Sequence, residues 1–179
     1  MLSEHLKHRK LFVDKHQYKC YLDTESNIAT FYLYNLSGQW IGYQTYNPGM
    51  PKYRTNLTPQ EQRYYTHVTG KKAERMNAVW GLEAYDYRKK ILFITEGIFD
   101  ACVFHNLGYN AIAILANNPK KLKSWLNTTN HRVIGIADGD DAGMAIAQVA
   151  NEVIQMPQGQ DPNDLTEEEL VSILKENRL

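Results

Sequence analysis

The chain has 179 residues, with 20 Lys and Arg balanced by 20 Asp and Glu. This length allows one or two domains with a modest core, and the zero net charge excludes any inference about partners from global electrostatics. The two cysteines, Cys20 and Cys102, lie far apart and exclude a disulfide framework or a zinc ribbon. No apolar run reaches membrane-spanning length and no leader opens the chain, so we expect a cytoplasmic protein without a membrane partner.

Charge is distributed unevenly along the chain. Residues 1–90 hold 14 basic and 8 acidic residues, whereas residues 91–179 hold 6 basic and 12 acidic residues. This asymmetry fits a basic nucleic-acid-binding half beside an acidic metal site. It fits equally well two domains with different solvated surfaces. We predict a boundary between a basic subdomain at 1–88 and a second domain at 89–179.

The first half is predicted to contain a short helix and a β-hairpin. The spacing of Leu2, Leu6 and Arg9 indicates the helix. Residues 28–34 and 39–46 are rich in β-branched and aromatic residues and are joined by a turn, which predicts two antiparallel strands. Further on, Thr58-Pro59-Gln60-Glu61 resembles a helix start, with Thr58 as the capping residue.

The second half alternates short apolar runs with helical patterns. Such alternation is typical of βαβ units and predicts a parallel sheet flanked by helices, an α/β fold (α+β for the chain as a whole). We predict strands at 91–95, 111–115, 132–137 and 153–156, and helices at 98–107, 119–127, 142–151 and 166–177.

Acidic residues follow these strands in three glycine-containing turns. Glu96-Gly97 ends the first strand, Asp138-Gly139-Asp140-Asp141 ends a later one, and Gly159-Gln160-Asp161-Pro162-Asn163-Asp164 forms the third turn. Open α/β sheets bind ligands at the carboxyl ends of their strands. The three turns are therefore predicted to converge on one site.

The ordered set Glu-Gly-x-x-Asp, Asp-x-Asp-x-Ala-Gly and Gly-x-Asp-Pro-x-Asp resembles a Toprim domain, the catalytic fold of bacterial-type primases, type IA and II topoisomerases and some nucleases. Each motif alone is weak, but the three in this order, each after a strand, are specific. The Ala-Gly after the Asp pair and the Asp-Pro-x-Asp are most similar to the primase branch.

Clustered carboxylates at strand ends favour Mg²⁺, with Mn²⁺ as a substitute, because hard cations prefer oxygen ligands and relieve mutual repulsion. We predict a catalytic metal site made of Glu96, Asp138 and Asp140, with Asp161 as a further ligand. The resemblance assigns metal binding to the Asp pair, and makes Glu96 a ligand or a general base.

Three further acidic residues have two interpretations each. Asp100 either belongs to the site or only favours the dipole of the helix that it begins. Asp141 adds negative charge where many primases carry a basic residue, or it caps the helix predicted from Ala142. For Asp164, a role in the turn is favoured over metal binding.

The first half also resembles the amino-terminal part of the primase RNA-polymerase core. The segments that carry this resemblance are Gly38-Gln-Trp-Ile-Gly42-Tyr, Pro51-Lys52-Tyr53-Arg54-Thr-Asn56 and Val79-Trp80-Gly81-Leu82. The resemblance implies that Lys52 and Arg75 contact nucleotide phosphates or template. Tyr53 offers a stacking face and Arg54 a further positive charge. The alternative is a solvated basic loop.

Two modules common among primases have no counterpart in the sequence. There is no zinc-binding module and no GxxxxGK[ST] helicase motif. The resemblance therefore implies single-stranded DNA and nucleoside triphosphates as partners, together with a separate zinc-binding or helicase protein.

Three functions are compatible with these features. The leading hypothesis is a DNA primase catalytic protein that makes short RNA primers on single-stranded DNA. The second is a Toprim nuclease that uses the same metals, and the primase-like residues 38–82 argue against it. The third is a non-catalytic primase mimic that binds replication or defence proteins, and the complete set of acidic motifs argues against it.

Overall fold

The structure is a computed structural model and describes residues 1–52, 57–69, 78–115, 119–138 and 146–179. Five of the predicted site residues lie outside the described residues: Tyr53, Arg54, Arg75, Asp140 and Asp141. The described strands form two four-stranded sheets, one in each half of the chain.

The first sheet is antiparallel with strand order β1-β2-β3-β4. Its β2–β3 hairpin is the one that the sequence predicts, because alternating buried and half-exposed side chains suit a sheet with one covered face. Two helices precede it. The elements are α1 (Leu2–His8), α2 (Val13–His16), β1 (Cys20–Asp23), β2 (Ile28–Tyr34), β3 (Trp40–Tyr46) and β4 (Tyr64–Val68).

The helix start expected at Thr58 is only a single 3-10 turn, Pro59–Glu61, although the predicted capping box is present. The chain then enters β4, which pairs with β3 at the sheet edge. The reason is composition: Tyr, Tyr, Thr, His and Val at 64–68 favour a strand, and the ring of Tyr64 lies 5.1 Å from that of Tyr46. Tertiary pairing therefore overrides the local capping signal.

The second sheet is parallel with strand order β6-β5-β7-β8, so the predicted parallel sheet is confirmed. Of the helix predicted at 142–151, residues 142–145 lie outside the described residues, and 146–148 form one 3-10 turn. The elements are β5 (Ile91–Thr95), α3 (Ile98–Asn106), β6 (Asn110–Ala113), α4 (Lys123–Thr128), β7 (Arg132–Ala137), β8 (Glu152–Gln155) and α5 (Glu167–Glu176).

Helix α3 is buried on nearly every side. All of its residues from Ile98 to His105 are buried, because the helix lies between the parallel sheet and the first half of the chain. Despite its apolar surroundings, α3 has only nine residues. None of the described helices combines the length and the apolar character that a membrane crossing requires.

Residues Val79 and Trp80 connect the two sheets. Val79 exchanges two backbone hydrogen bonds of 2.9 Å with Tyr34 in β2, and Trp80 exchanges bonds of 3.0 and 3.1 Å with Ala113 in β6. The fully buried Trp80 packs edge-on against Phe31 at 6.3 Å between ring centroids. The two halves thus share one core, and the division at 88/89 remains a prediction about chain organisation.

Phe31 tests whether this shared core makes the halves unfold together. Its buried ring also packs edge-on against Phe99 of α3, so Phe31→Ala removes contacts on both sides of the boundary. We expect a loss of about 3–5 kcal/mol in the free energy of unfolding. Urea unfolding followed by circular dichroism should show one shifted transition, whereas Thr30→Ala on the other face of β2 should change little. Two separate transitions, with only one shifted, would contradict a common core.

Candidate metal and nucleotide-binding cleft

Glu96 and Asp138 lie at the ends of neighbouring strands. Glu96 follows β5 and Asp138 follows β7, and these strands pair in parallel, with Ile94 opposite Gly135. Because parallel strands end at the same edge of a sheet, both carboxylates reach one place. Both line a cleft of about 740 Å³. The convergence predicted from the sequence is therefore present for these two residues.

Gly97 leaves space for a neighbouring carboxylate. Its φ of −111° is accessible to any residue, so the turn does not demand glycine for its backbone conformation. A Cβ at this position, however, would lie 2.6 Å from Oδ2 of Asp100. The hydroxyl of Thr95 donates to the carbonyl oxygen of Gly97 at 3.0 Å and fixes the turn. A side chain at position 97 would therefore force the carboxylate of Asp100 to shift.

Asp100 lies in the first turn of α3, buried, on the same cleft. Burial raises its pKa well above the usual range, and the negative charges of Asp161 and Asp138 raise it further, against the opposing charge of Arg9. Of its two interpretations, this position favours membership of the site over a role limited to the helix dipole.

The third acidic turn is held by hydrogen bonds between its own carboxylates and backbone amides. Oδ1 of Asp161 accepts hydrogen bonds from the amides of Asn163 and Asp164 at 2.9 and 3.0 Å, and Oδ2 of Asp164 accepts from the amide of Asp161 at 3.1 Å. Asp164 therefore has the turn role that its position in the sequence favours. Both carboxylates also line the cleft.

Among the described residues, no three His, Cys, Asp or Glu side chains are close enough together to form a metal site by themselves. Asp140 and Asp141 lie outside that part of the chain. The chemistry of the cleft nevertheless fits a divalent cation, for which Glu96, Asp138 and Asp161 would supply oxygen ligands. The pKa of Asp100 is raised mainly by burial and further by the charges of Asp161 and Asp138, and a cation would relieve that second contribution.

Basic residues from the first half line the same cleft. Lys52, predicted to contact nucleotide, is among them, whereas Tyr53, Arg54 and Arg75 cannot be assessed because they lie outside the described residues. Arg63, just before β4, also lines it and donates from Nε to the carbonyl oxygen of Met50 at 2.6 Å. Cations from one half thus face the same space as carboxylates from the other.

Arg9 is a cleft residue that the sequence interpretation missed. Its guanidinium lies 4.3 Å from the ring centroid of Phe99, and its Nε donates to Oδ1 of Asn163 at 2.7 Å. Burial alone would lower the pKa of Arg9, but nearby Tyr64, Tyr46, Asp161 and Asp100 outweigh burial and raise it. Only the helical spacing of Leu2, Leu6 and Arg9 was visible in the sequence, and it contains no signal for these distant partners.

Comparison with known proteins agrees with this geometry. The Toprim-like family matches residues 93–166, which run from β5 through all three acidic turns. The resemblance to Toprim proteins that the motifs indicate is therefore confirmed. Comparison with curated protein sequences finds no match.

Solved structures with a similar fold include DNA primase cores. The primase fragment of the bacteriophage T7 primase-helicase protein has a TM-score of 0.64 at 16% identity, over 93% of this chain and 69% of that one. A DNA primase domain from Pseudomonas aeruginosa has a TM-score of 0.62 at 18% identity, over 93% of this chain and 58% of that one. The DnaG primase catalytic domain bound to single-stranded DNA has a TM-score of 0.59 at 18% identity, over 93% of this chain and 60% of that one.

These likenesses define the fold of the chain as that of a primase catalytic core. The chain spans 58% of the Pseudomonas aeruginosa domain and 60% of the DNA-bound domain, so it corresponds to little more than half of each.

The buried carboxyl of Asp100 predicts how stability depends on pH. Its pKa is raised in the folded chain, so ionisation costs folding free energy that is absent below the ordinary pKa of about 4 and grows as pH rises above it. Asp100→Asn cannot ionise. In the presence of a chelator, we expect this variant to be more stable than the native chain at pH about 8, with a smaller difference at pH about 4. Thermal unfolding at both pH values measures this, with exposed Asp14→Asn as control. A constant difference between the two pH values would contradict the prediction.

Proposed function

We propose that this protein is a primase-type nucleotidyltransferase that makes short RNA primers on single-stranded DNA. The observation that carries the proposal is the single cleft shared by carboxylates of the parallel sheet and basic residues of the first half. Phosphoryl transfer needs both: a cation site for the reacting phosphate, and positive side chains for the rest of a triphosphate and the template backbone.

Each group of residues has a distinct role in this proposal. Glu96, Asp138, Asp140 and Asp161 hold Mg²⁺ or Mn²⁺, which when bound would stabilise charge on the attacking and leaving oxygens. In the alternative role that the resemblance implies, Glu96 would act as the general base that accepts the proton of the attacking 3′-hydroxyl.

Lys52 and Arg75 bind the triphosphate or template phosphates, while Arg54 adds positive charge and Tyr53 stacks on a base. Asp100 and Asp141 would add negative charge to the site when a bound cation keeps them ionised.

The partners proposed are single-stranded DNA and nucleoside triphosphates. One of the similar structures is bound to single-stranded DNA, and another is a fragment of a primase-helicase protein. A separate zinc-binding or helicase protein is therefore a reasonable source of template selection for a chain that matches only part of a primase core.

Primer synthesis is the first test. We expect the native chain with Mg²⁺ or Mn²⁺ to incorporate nucleotides on single-stranded DNA. Asp138→Ala combined with Asp140→Ala should lose roughly a hundredfold or more of this activity, because several kcal/mol of charge stabilisation disappear. Asp14→Ala with Glu25→Ala removes the same charge from exposed positions and should have little effect.

The same reactions separate the rival functions. Degradation of the DNA in a metal-dependent manner, abolished by the same double variant, would indicate a Toprim nuclease. If the double variant keeps the effect of the native protein in cells, the protein would act as a non-catalytic binder of replication or defence proteins. Synthesis that persists in the double variant would overturn the site assignment.

Lys52 provides a test of nucleotide binding. Lys52→Ala removes one charged donor from the cleft, which corresponds to about a tenfold weaker affinity for a nucleoside triphosphate. Fluorescence titration with a labelled triphosphate measures the change. Lys7→Ala is the matched control, since the exposed Lys7 pairs with Glu4 at 3.1 Å on α1. Equal affinities in the two variants would remove Lys52 from the nucleotide site.

A further inference from the structure

Asn163 is the most extensively bonded residue of the third acidic turn among those that the structure describes. It is buried, and its Nδ2 donates to the carbonyl oxygens of Arg9 at 2.8 Å and Phe99 at 3.3 Å. Its Oδ1 accepts from Nε of Arg9 at 2.7 Å, and its backbone amide donates to Oδ1 of Asp161 at 2.9 Å. One side chain thus joins the turn to the end of α1 and to the start of α3.

Lys10 reinforces the same connection from the backbone side. Its Nζ donates to the carbonyl oxygen of Asn163 at 2.6 Å and also to that of Leu165. The carbonyls that follow Asp161 are therefore fixed by a residue more than 150 positions earlier in the chain. Asp161 itself has no comparable link to the rest of the fold among the bonds described.

We infer that Asn163 is a positioning residue that fixes Asp161 on the cleft. Only an amide meets all the demands of this position: it accepts from Arg9 and donates to two carbonyls without adding a charge. An aspartate accepts but cannot donate, and alanine does neither. The inference rests on the proposed function insofar as Asp161 is taken to contribute to binding of a divalent cation.

Asn106 provides a matched control at the other end of α3, the helix to which Asn163 bonds. Asn106, at the end of α3, donates from Nδ2 to the carbonyl oxygen of Lys10 at 2.8 Å and bonds to Nε2 of His16 at 2.7 Å. It therefore ties the same amino-terminal segment to α3, and none of its hydrogen bonds among the described residues reaches the third acidic turn. Asn106→Ala should cost stability without moving Asp161.

The experiment compares Asn163→Ala, Asn163→Asp, Asn106→Ala and Asp161→Asn in the full chain, by two measurements. Amide hydrogen exchange at residue resolution reports on Asp164, whose N–H bonds to Asp161. Mn²⁺ titration by electron paramagnetic resonance reports on the cation site. Asn163→Asp keeps the side-chain volume and so guards against a variant that fails to fold.

We expect both Asn163 variants to lose protection at the Asp164 amide and to bind Mn²⁺ about tenfold more weakly, the usual effect of losing a residue that orients a metal ligand. Asn106→Ala should lower the melting temperature by a comparable amount, but keep both the protection of the Asp164 amide and the affinity for Mn²⁺. Retained protection at Asp164 in the Asn163 variants would overturn the inference. So would unchanged Mn²⁺ binding in these variants when Asp161→Asn weakens it.

Failure of the proposed function gives a different pattern. If Asp161→Asn leaves Mn²⁺ binding unchanged while the Asn163 variants lose protection at Asp164, Asp161 is not a ligand. The positioning of Asp161 by Asn163 would still stand in that case.

Discussion

The crowding of carboxylates at one edge of the parallel sheet is the constraint on which the rest of the site depends. Parallel pairing of β5 with β7 brings Glu96 and Asp138 to the same edge, and Asp100 is buried beside them. Burial and the neighbouring charges of Asp161 and Asp138 both disfavour ionisation of Asp100 and raise its pKa, burial contributing most. Such an arrangement persists only where positive charge balances it, from the protein or from a ligand.

The protein supplies part of that balance from the other half of its chain. Arg9 directly follows α1 and Lys52 lies in the segment after β3, and both share the cleft with the carboxylates. The packing of Phe31 against Phe99 holds the first sheet against the helix that begins at the Glu-Gly turn. The common core therefore does more than stabilise the fold, because it sets the position of the cations relative to the anions.

The sequence predicted the elements that depend on local patterns, such as apolar strands and the acidic turns that follow them. Strands β5 and β7 were predicted to the residue, since buried parallel strands are short apolar runs, and the acidic turns followed from them. Strand β4 was not predicted. The capping box at Thr58 indicated a helix start because it is a local signal, whereas the pairing of β4 with β3 is not local. The Arg9–Asn163 bond joins residues 154 positions apart, and no single-sequence pattern encodes such a pair.

The neutral amide of Asn163 suits this electrostatic setting. The position needs an acceptor for Arg9, and a carboxylate would satisfy Arg9 equally well or better. It would, however, add another negative charge beside Asp161 and leave the carbonyls of Arg9 and Phe99 without their donor. Because Arg9 also lies close to Asp100 and Asp161, an amide leaves its charge available to balance these two carboxylates. Asn163 thus connects the turn to the rest of the fold without adding negative charge to the cleft, and Arg9 supplies the balancing positive charge.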